Sequence, residues 1–465
     1  MSMQRAVVIG GSIAGLCAAR VLADYFDAVT VVDRDSYPAG TLERAGVPQS
    51  RHVHALLARG SRELERLFPG FERRMLAAGA HEVDFGRDFA ALRGDGWAPR
   101  EQSGITTLFA SRTLLEATVR DLLRQVPRVE LLERMSVTGL VADGDGRRRA
   151  RGVRARPRAG GPEEVLPADL VVDASGRASK STEWLRSLGL EPPAETVVDS
   201  FSGYATRWYQ APDPARWPRE WWWKGIWIDP KEPDHMTAGV LFPVEDGRWI
   251  VTIAGISGHY PPSDEDDFTL ALARLRSPLI ARAVGLAEPI SPVYCNRAMA
   301  NRFRHYERWA ERLDGFIAIG DSACAFNPVY GQGMTTAAVA AGILADCLDR
   351  VGPASTALPR EFFRVQGRFL RDPWGLATGA DFHFPATEGD RPPLLGLFGA
   401  YTDALFAAAA DDAEIRRVLI EVFNMLEPPS RLFGLPTIGR VAMRSLWRRL
   451  QPGTAPAPAP ALPAV

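Results

Sequence analysis

The stretch Gly10-Gly11-Ser12-Ile13-Ala14-Gly15 has glycines at the first and last positions of a G-x-G-x-x-G spacing and a serine at the middle one. A glycine at 10 permits a tight turn, and one at 15 lets a helix pack closely on a strand. The helix then offers free N–H groups and its positive dipole end to a pyrophosphate. Ser12 stands where phosphates come closest, and its hydroxyl is a donor for one of them. Asp33, followed by Arg34, comes eighteen positions after Gly15, where a carboxylate takes a ribose hydroxyl. This is dinucleotide chemistry, and the fingerprint alone leaves NAD and FAD both open.

Other reactive side chains are less organised. His52 and His54 are one residue apart but have no carboxylate or third histidine at ligand spacing, so packing within a loop is expected and no metal. Cys17, Cys295, Cys324 and Cys347 form no CxxC pair, which argues against a zinc site or disulfide framework and for reduced thiols in a cytoplasm. Asp84, His81, Tyr204 and His235 are acid–base candidates, none of them part of an evident pair.

The elements that must carry these groups follow from periodicity. Ala6–Ile9 and Val29–Val32 read as buried strands around a helix from Ile13 to Ala23, one βαβ unit over a parallel sheet. Helices are expected at Arg59–Leu67 and Arg112–Leu123. Strands are expected at Val129–Leu132, Val137–Val141, Gly152–Arg156 and Leu170–Val172, with a turn at Asp143–Arg149. Tryptophans crowd the region after Thr196, and the alternation at Trp249–Ile253 reads as antiparallel strand. A strand at Phe316–Ile319 then leads to a helix from about Gly333 to Asp349.

The chain has 465 residues, 46% hydrophobic and 24% charged, with formal net charge −1. That mix excludes wholesale disorder, and the neutral balance leaves no field to draw nucleic acid. Met1 to Gln4 run straight into a strand, so no signal peptide is expected. The longest apolar stretch, Met334–Ala345, is far short of the roughly 20 residues of a membrane span. A soluble, cytoplasmic protein is expected. Of the 55 basic side chains only Lys180, Lys224 and Lys231 are lysines, which reads as the base composition of the gene.

A second motif chooses the cofactor. The segment Gly320-Asp321 with Phe326-Asn327-Pro328-Val329-Tyr330-Gly331-Gln332-Gly333-Met334 resembles the second FAD signature of class A flavoprotein monooxygenases. The resemblance implies that Asp321 holds the ribityl chain and that the Pro328 to Gly333 loop lies along the isoalloxazine ring. The helix opening at Gly333-Met334 then points its N-terminus at the ring's pyrimidine edge. It also implies that Arg112 lies beside flavin and pyrophosphate, and that Val137 touches adenine. The alternative for Arg112 is an exposed arginine at a helix start. The family's Asp-Gly motif is present only in altered form, as Asp173-Ala174-Ser175-Gly176.

Within that family, Gly46 to His54, the Asn-Pro-Val-Tyr version of the loop, and Thr378-Gly379-Ala380-Asp381-Phe382-His383-Phe384-Pro385 look like the flavin-dependent epoxidases of polyether-polyketide biosynthesis. Arg51 is then a candidate to orient the flavin, or else a surface arginine. Trp221, Trp223 and Trp227, with Tyr330, are candidates for an apolar substrate wall; the tryptophans read equally as core. Trp227 and Pro230 are similar to fragments of the halogenases' Trp-x-Trp-x-Ile-Pro motif, but Gly225 and Asp229 occupy its other positions. The lysine that halogenation needs is missing between the fingerprint and Lys180, which excludes that branch.

The implied fold is α/β: a Rossmann-type, glutathione-reductase-like FAD-binding domain with an inserted mostly-β substrate domain and a helical C-terminal portion. The expected boundaries are 1–195 for the first FAD part (with substrate-side insertions near 80–105) and 196–290 for the β-rich unit. The second FAD part spans 291–355, the helical portion 356–451, and a disordered Ala/Pro tail 452–465. The implied reaction uses FAD, NADPH or NADH and O2, and passes one oxygen atom through a flavin C4a-hydroperoxide. An alkene of a large apolar natural-product intermediate, free or carrier-bound, is the expected substrate. A phenol-type hydroxylase and a flavin-dependent prenyl double-bond reductase are the alternatives. Met443, Leu446, Trp447 and Leu450 form an apolar stripe among Arg440, Arg444, Arg448 and Arg449. It is expected to pack on the enzyme body, with contact to a membrane or carrier protein as the alternative.

Overall fold

A computed structural model describes residues 3–450 except Ala39, Asp95, 144–147, Ala298, Pro392 and Leu394. The expected tail at 452–465 and most of the turn at Asp143–Arg149 lie outside the described residues.

The β-branched runs form the centre of the molecule. Five parallel strands lie in the order Phe316–Ala318, Leu170–Asp173, Arg5–Ile9, Ala28–Val32, Val129–Leu132. Strands covered on both faces must be apolar throughout; Val7, Val8, Val31, Val171, Val172 and Ile317 are all at most 2% exposed. The helices Ile13–Leu22, Arg112–Leu123 and Gly333–Val351 cover this sheet. A small antiparallel sheet, Met135–Ala142, Ala150–Pro157 and Glu164–Pro167, flanks it.

The second large sheet has eight strands. Gly203–Gln210, Arg248–Gly255, Thr237–Val244 and Gly225–Ile228 lie side by side, antiparallel. The sheet then draws Phe89–Arg93 in, parallel to Gly225–Ile228, and takes up Glu288–Pro289 and Tyr294–Asn296 at its other edge. The strand-rich unit therefore reaches past 196–290, to 296 and back to 89–97.

Side chains alternate across a strand, and this sheet has two distinct apolar faces. Ile226, Ile228, Leu241, Val251, Trp223 and Trp249 pack on one, under Phe268, Leu272 and Ile280 of the helices Glu265–Ala273 and Leu279–Val284. Trp227, Val240, Phe242 and Phe89 face the other way and meet Phe109 of the strand Thr106–Phe109. The second face looks toward the FAD-type domain.

The C-terminal portion comprises Leu358–Asp381, Leu395–Ala409, Ala413–Phe423 and Leu435–Leu450. Asp412 caps Ala413–Phe423 by accepting from Glu414 and Ile415 N–H, and it also receives Arg440 at 3.4 Å and Arg444 at 3.3 Å. The last helix thus docks by its arginines and turns its apolar stripe outward: Met443, Leu446 and Leu450 are at least 60% exposed. Packing of that stripe on the enzyme body was the expectation, and the ion pairs reverse it. Among the described residues no helix is long and apolar enough to cross a membrane.

Candidate functional site

The glycine turn is built as its spacing requires. Gly10 has φ +99°, and a Cβ there would meet the Ala174 carbonyl oxygen at 2.6 Å; a Cβ on Gly15 would come within 1.8 Å of the Gly10 oxygen. Only glycine fits at either place. Asp33 Oδ2 accepts the Gly11 N–H at 2.8 Å and Arg44 Nη1 at 3.0 Å, while Oδ1 accepts the Asp35 N–H. Asp33 therefore braces the turn, with Oδ1 the freer oxygen for a ribose.

Ser12 opens the helix Ile13–Leu22 without capping it by its side chain. Its hydroxyl donates to Glu116 Oε2 at 2.7 Å and accepts from Arg112 Nη2 at 2.6 Å. The Ser12 hydroxyl is thus committed to a carboxylate in this structure, and the helix start is left without a side-chain cap. Arg112 is buried, paired with Glu116 at 3.0 Å, and its Nε has no partner. It is not an exposed helix-start arginine.

Glu116 also takes Arg44 at 2.6 Å. Burial works to lower the Arg44 pKa, but Glu116 and Asp33 together hold it above its ordinary value. At the end of the second strand a cavity of about 470 Å³ is lined by Arg34, Asp35, Glu43, Arg44, Arg134 and Arg158. Val137 sits partly buried on the neighbouring antiparallel sheet.

The second signature abuts the first. Gly320 has φ +62°, and a Cβ there would lie 2.8 Å from the Ala14 Cβ. No described residue donates a hydrogen bond to the Asp321 carboxylate. Burial pushes its pKa up, opposed by Arg177, Arg112 and Arg302. Gln332 Oε1 and Thr335 Oγ1 are buried without partners at the start of the helix Gly333–Val351, where Met334 is also buried. Two helix N-termini, a carboxylate lacking a donor, and orphaned polar atoms between them fit FAD's pyrophosphate, ribityl and pyrimidine groups.

Asp173 is fully buried and accepts from Ser175 N–H, Ser175 Oγ, Ser179 Oγ and Ser322 Oγ. It ties the altered Asp-Gly motif to the turn Gly320–Ser322. Arg177, which carried no expectation, donates to the Ala300 and Phe326 carbonyls and so fixes the start of the loop that holds Pro328.

The Arg51 guanidinium pairs with Glu43 at 2.8 Å and covers the Tyr294 ring, and its side chain is 45% exposed, as the surface-arginine alternative has it. His52, beside it, is buried: Nδ1 meets Thr206 Oγ1 at 2.9 Å, and the ring stands edge-on to Tyr204 at 4.4 Å. Burial pushes its pKa down to about 4 and that of His54 down to about 3. Among the described residues no three His, Cys, Asp or Glu gather at metal-binding distance.

The tryptophans divide by face. Trp221 and Trp223 meet at 5.0 Å with their rings tilted, beside Trp217 and Trp249 in the core under the outer helices. They are core, and the expectation that they wall the substrate is corrected by this packing, in the segment just before the strand Gly225–Ile228. Trp227 lies opposite Val240, which is paired with Thr252 and through it with Thr206, the partner of His52. One row further, Tyr204, Ala254 and Ala238 join Met299 and pack against Val329 of the Pro328–Tyr330 turn. The wall facing the loop is therefore Tyr204, Ala238, Ala254, Met299 and Trp227.

The remaining acid–base candidates are engaged elsewhere. Asp84 takes the N–H groups of Gly86, Arg87, Ser103 and Gly104, which hold its pKa below the ordinary value against burial. His81 meets the Val244 carbonyl, and His235 closes a turn with Lys231. Lys224 Nζ is held by the Glu82 carbonyl at 2.7 Å and Asp88 at 3.1 Å. The group that sequence reasoning missed is the set Asn301, Asn327 and Asp381 around Tyr330, whose hydroxyl donates to Asp381 Oδ1 at 2.6 Å. Both Tyr330 and Asp381 stood in quoted motifs, but no spacing signals that residues 51 apart in the chain meet.

Comparison with known proteins places this geometry. Residues 3–353 match the family described as FAD binding domain. The chain is 32% identical to Protein Rv3254 of Mycobacterium tuberculosis, over 96% of this chain and 95% of that protein. It is 26% identical to kynurenine 3-monooxygenase of Salinispora tropica, over 76% of this chain and 75% of that enzyme. Among solved structures, the flavin-dependent brominase Bmp2 shares the fold, with TM-score 0.67 and 16% identity over 96% of this chain and 99% of that one.

Proposed function

The chain belongs to the FAD binding domain family and is a flavin-dependent monooxygenase; from that premise we propose that it epoxidises an alkene of a neutral, largely apolar natural-product intermediate. The observation that carries this reading is the wall opposite the flavin loop, where Tyr204, Ala238, Ala254 and Met299 pack against Val329. An apolar wall binds apolar carbon and excludes water from the reacting centre.

The titratable groups at that wall support the same reading. Burial pushes His52 down to about 4 and His54 down to about 3, which makes both weak bases, and burial beside Asp381 keeps the Tyr330 phenol protonated by raising its pKa well above the ordinary value. An alkene needs no base before oxygen transfer, whereas a phenol usually does.

The residues that would hold FAD are the helix N-terminus at Ile13, Arg112 and Asp33 for the ADP half. Asp321 and the N-terminus at Gly333-Met334 would hold the ribityl and ring. When bound, FAD would supply an electrophilic oxygen derived from O2 at the expense of NADH or NADPH. Arg177 and Asp173 would hold the loop and the turn in place, and the sheet wall would position the substrate carbon. A second reading, hydroxylation of an aromatic ring, is favoured by the activity named for the Salinispora relative.

Incubating the FAD-bound protein with NADPH or NADH, isotopically labelled O2 and candidate polyenes and phenols tests both. A product carrying one labelled oxygen as an epoxide supports the first reading, and a labelled phenol the second. Reductant-dependent saturation of a double bond without label would sink both in favour of a reductase.

A further inference from the structure

The hydrogen bonds around Tyr330 have a fixed direction. Asn301 Oδ1 accepts the Asn327 backbone N–H at 2.7 Å, and Asn327 Oδ1 accepts the Val329 N–H at 3.2 Å. A backbone N–H can only donate, so both amides must present their Nδ2 ends to whatever lies on the other side. That group is Asp381: Asn301 Nδ2 reaches Oδ2 at 2.5 Å, and Asn327 Nδ2 reaches Oδ1 at 3.2 Å. Asp381 is 1% exposed and is held as an acceptor on both oxygens. Burial raises the Asp381 pKa, opposed by the hydrogen bonds it receives from Tyr330, Asn301, Ser200 and Asn327. With Asp381 ionised, the Tyr330 hydroxyl, 2.6 Å from Oδ1, gives its single proton to Asp381, which leaves only lone pairs for a third group.

The placement is costly. Asp381 ends the helix Leu358–Asp381, where the dipole disfavours a negative charge. Among its described hydrogen-bond partners none is a cation; neutral donors alone support it. Departures of this kind from local rules concentrate at working sites. Tyr330 itself is only half-buried, and it sits between Pro328 and Gly331 in the loop whose Val329 faces the apolar wall.

We propose that Tyr330, with its proton fixed on Asp381, is an acceptor-only site that selects substrates carrying a hydroxyl or N–H donor near the carbon to be oxygenated. The inference rests on the oxygenase reading above and narrows its substrate class. An allylic alcohol or a phenol satisfies the site. The corresponding methyl ether leaves the tyrosine lone pair facing an oxygen that cannot donate, and two acceptors in a dry site repel.

The test uses the full-length FAD-bound protein and two matched pairs, geraniol with its methyl ether and 2-naphthol with 2-methoxynaphthalene. Binding is read at equilibrium from the perturbation of the flavin absorbance. In at least one pair the hydroxyl compound is expected to bind about tenfold or more tightly than its ether, the scale of one hydrogen bond made against one left unmade. Tyr330→Phe brings that ratio close to one by weakening the hydroxyl compound alone, with FAD content unchanged. Asp381→Asn frees the phenol to turn its proton outward and lowers the ratio by strengthening the ether. A ratio near one in the unmodified protein for both pairs overturns the proposal, as does a ratio that Tyr330→Phe leaves intact. Failure of labelled-oxygen incorporation would instead strike the oxygenase reading, since the binding ratio does not depend on turnover.

Discussion

Arg44 and Glu116 meet at 2.6 Å with side chains only 3% and 6% exposed, and Glu116 holds Arg112 and Ser12 from the same carboxylate. Glu116 thus serves two buried guanidiniums directly behind the pyrophosphate turn; Arg44 also has Asp33 at 3.0 Å, whereas Arg112 has no other carboxylate among its described ion pairs. Removing Glu116 strands Arg112 in a poorly solvated place. Glu116→Gln is expected to lower the stability of the FAD-free protein by about 3–5 kcal/mol, measured by urea denaturation. An unchanged midpoint would show that the guanidiniums find solvent or another partner.

The contact between Gly320 and Ala14 joins the two FAD signatures. Gly320→Ala introduces a side chain at φ +62° and a Cβ 2.8 Å from that of Ala14. Strain of this kind costs roughly 1–3 kcal/mol, and it falls on the strand-to-helix turn that carries Asp321. FAD affinity is expected to drop about tenfold or more, read by fluorescence of released flavin. Ala14→Gly in the same chain relieves the steric part and recovers some of the affinity. Without that recovery, the damage would lie in the backbone of residue 320 alone.

How legible these features were depended on whether their signal was local. The runs Ala6–Ile9, Val29–Val32 and Leu170–Val172 announced a buried parallel sheet because each strand is apolar throughout, and the glycine turn needed specific residues at fixed offsets. Trp221, Trp223 and Trp227 look alike in sequence at even spacing, but Trp221 and Trp223 precede the strand Gly225–Ile228 and turn into the core under the outer helices, while Trp227, within the strand, faces the other way. Pairing of 89–93 with 225–228, and of Tyr330 with Asp381, joins distant segments and leaves no period to read. Arg51 had two readings in the sequence, and its exposed guanidinium pairs with a carboxylate, Glu43.

His52 and His54 predict an acid-side loss of stability. In the unfolded chain each titrates near about 6.5, whereas in the fold burial holds them down to about 4 and about 3. Between those values the unfolded state binds more protons, so unfolding free energy rises with pH and falls as the solution is acidified below about 6.5. His52→Gln keeps a polar partner for Thr206 and removes one of the two sites. Its urea midpoint should fall less steeply than the unmodified protein's between about pH 6 and pH 4.5. Parallel slopes in the two proteins would mean that His52 is protonated in the fold as readily as out of it.

Trp223 and Trp227 separate stability from substrate handling, because they pack on opposite faces of one sheet. Trp223 is 1% exposed among Trp217, Trp221 and Trp249, so Trp223→Ala empties a core site and is expected to cost about 3–5 kcal/mol. Trp227 lies toward the loop side, where its ring is covered by the Arg93 guanidinium and its Nε1–H donates to Asp229. Trp227→Phe keeps an apolar ring and should change stability by less than about 1.5 kcal/mol. It alters the wall that meets substrate, so the fraction of NAD(P)H oxidation coupled to product should fall while FAD content stays constant. Measuring urea stability and coupling for both variants decides the matter. If Trp223→Ala changed coupling with stability intact, or Trp227→Phe changed only stability, the assignment of the two faces would have to be exchanged.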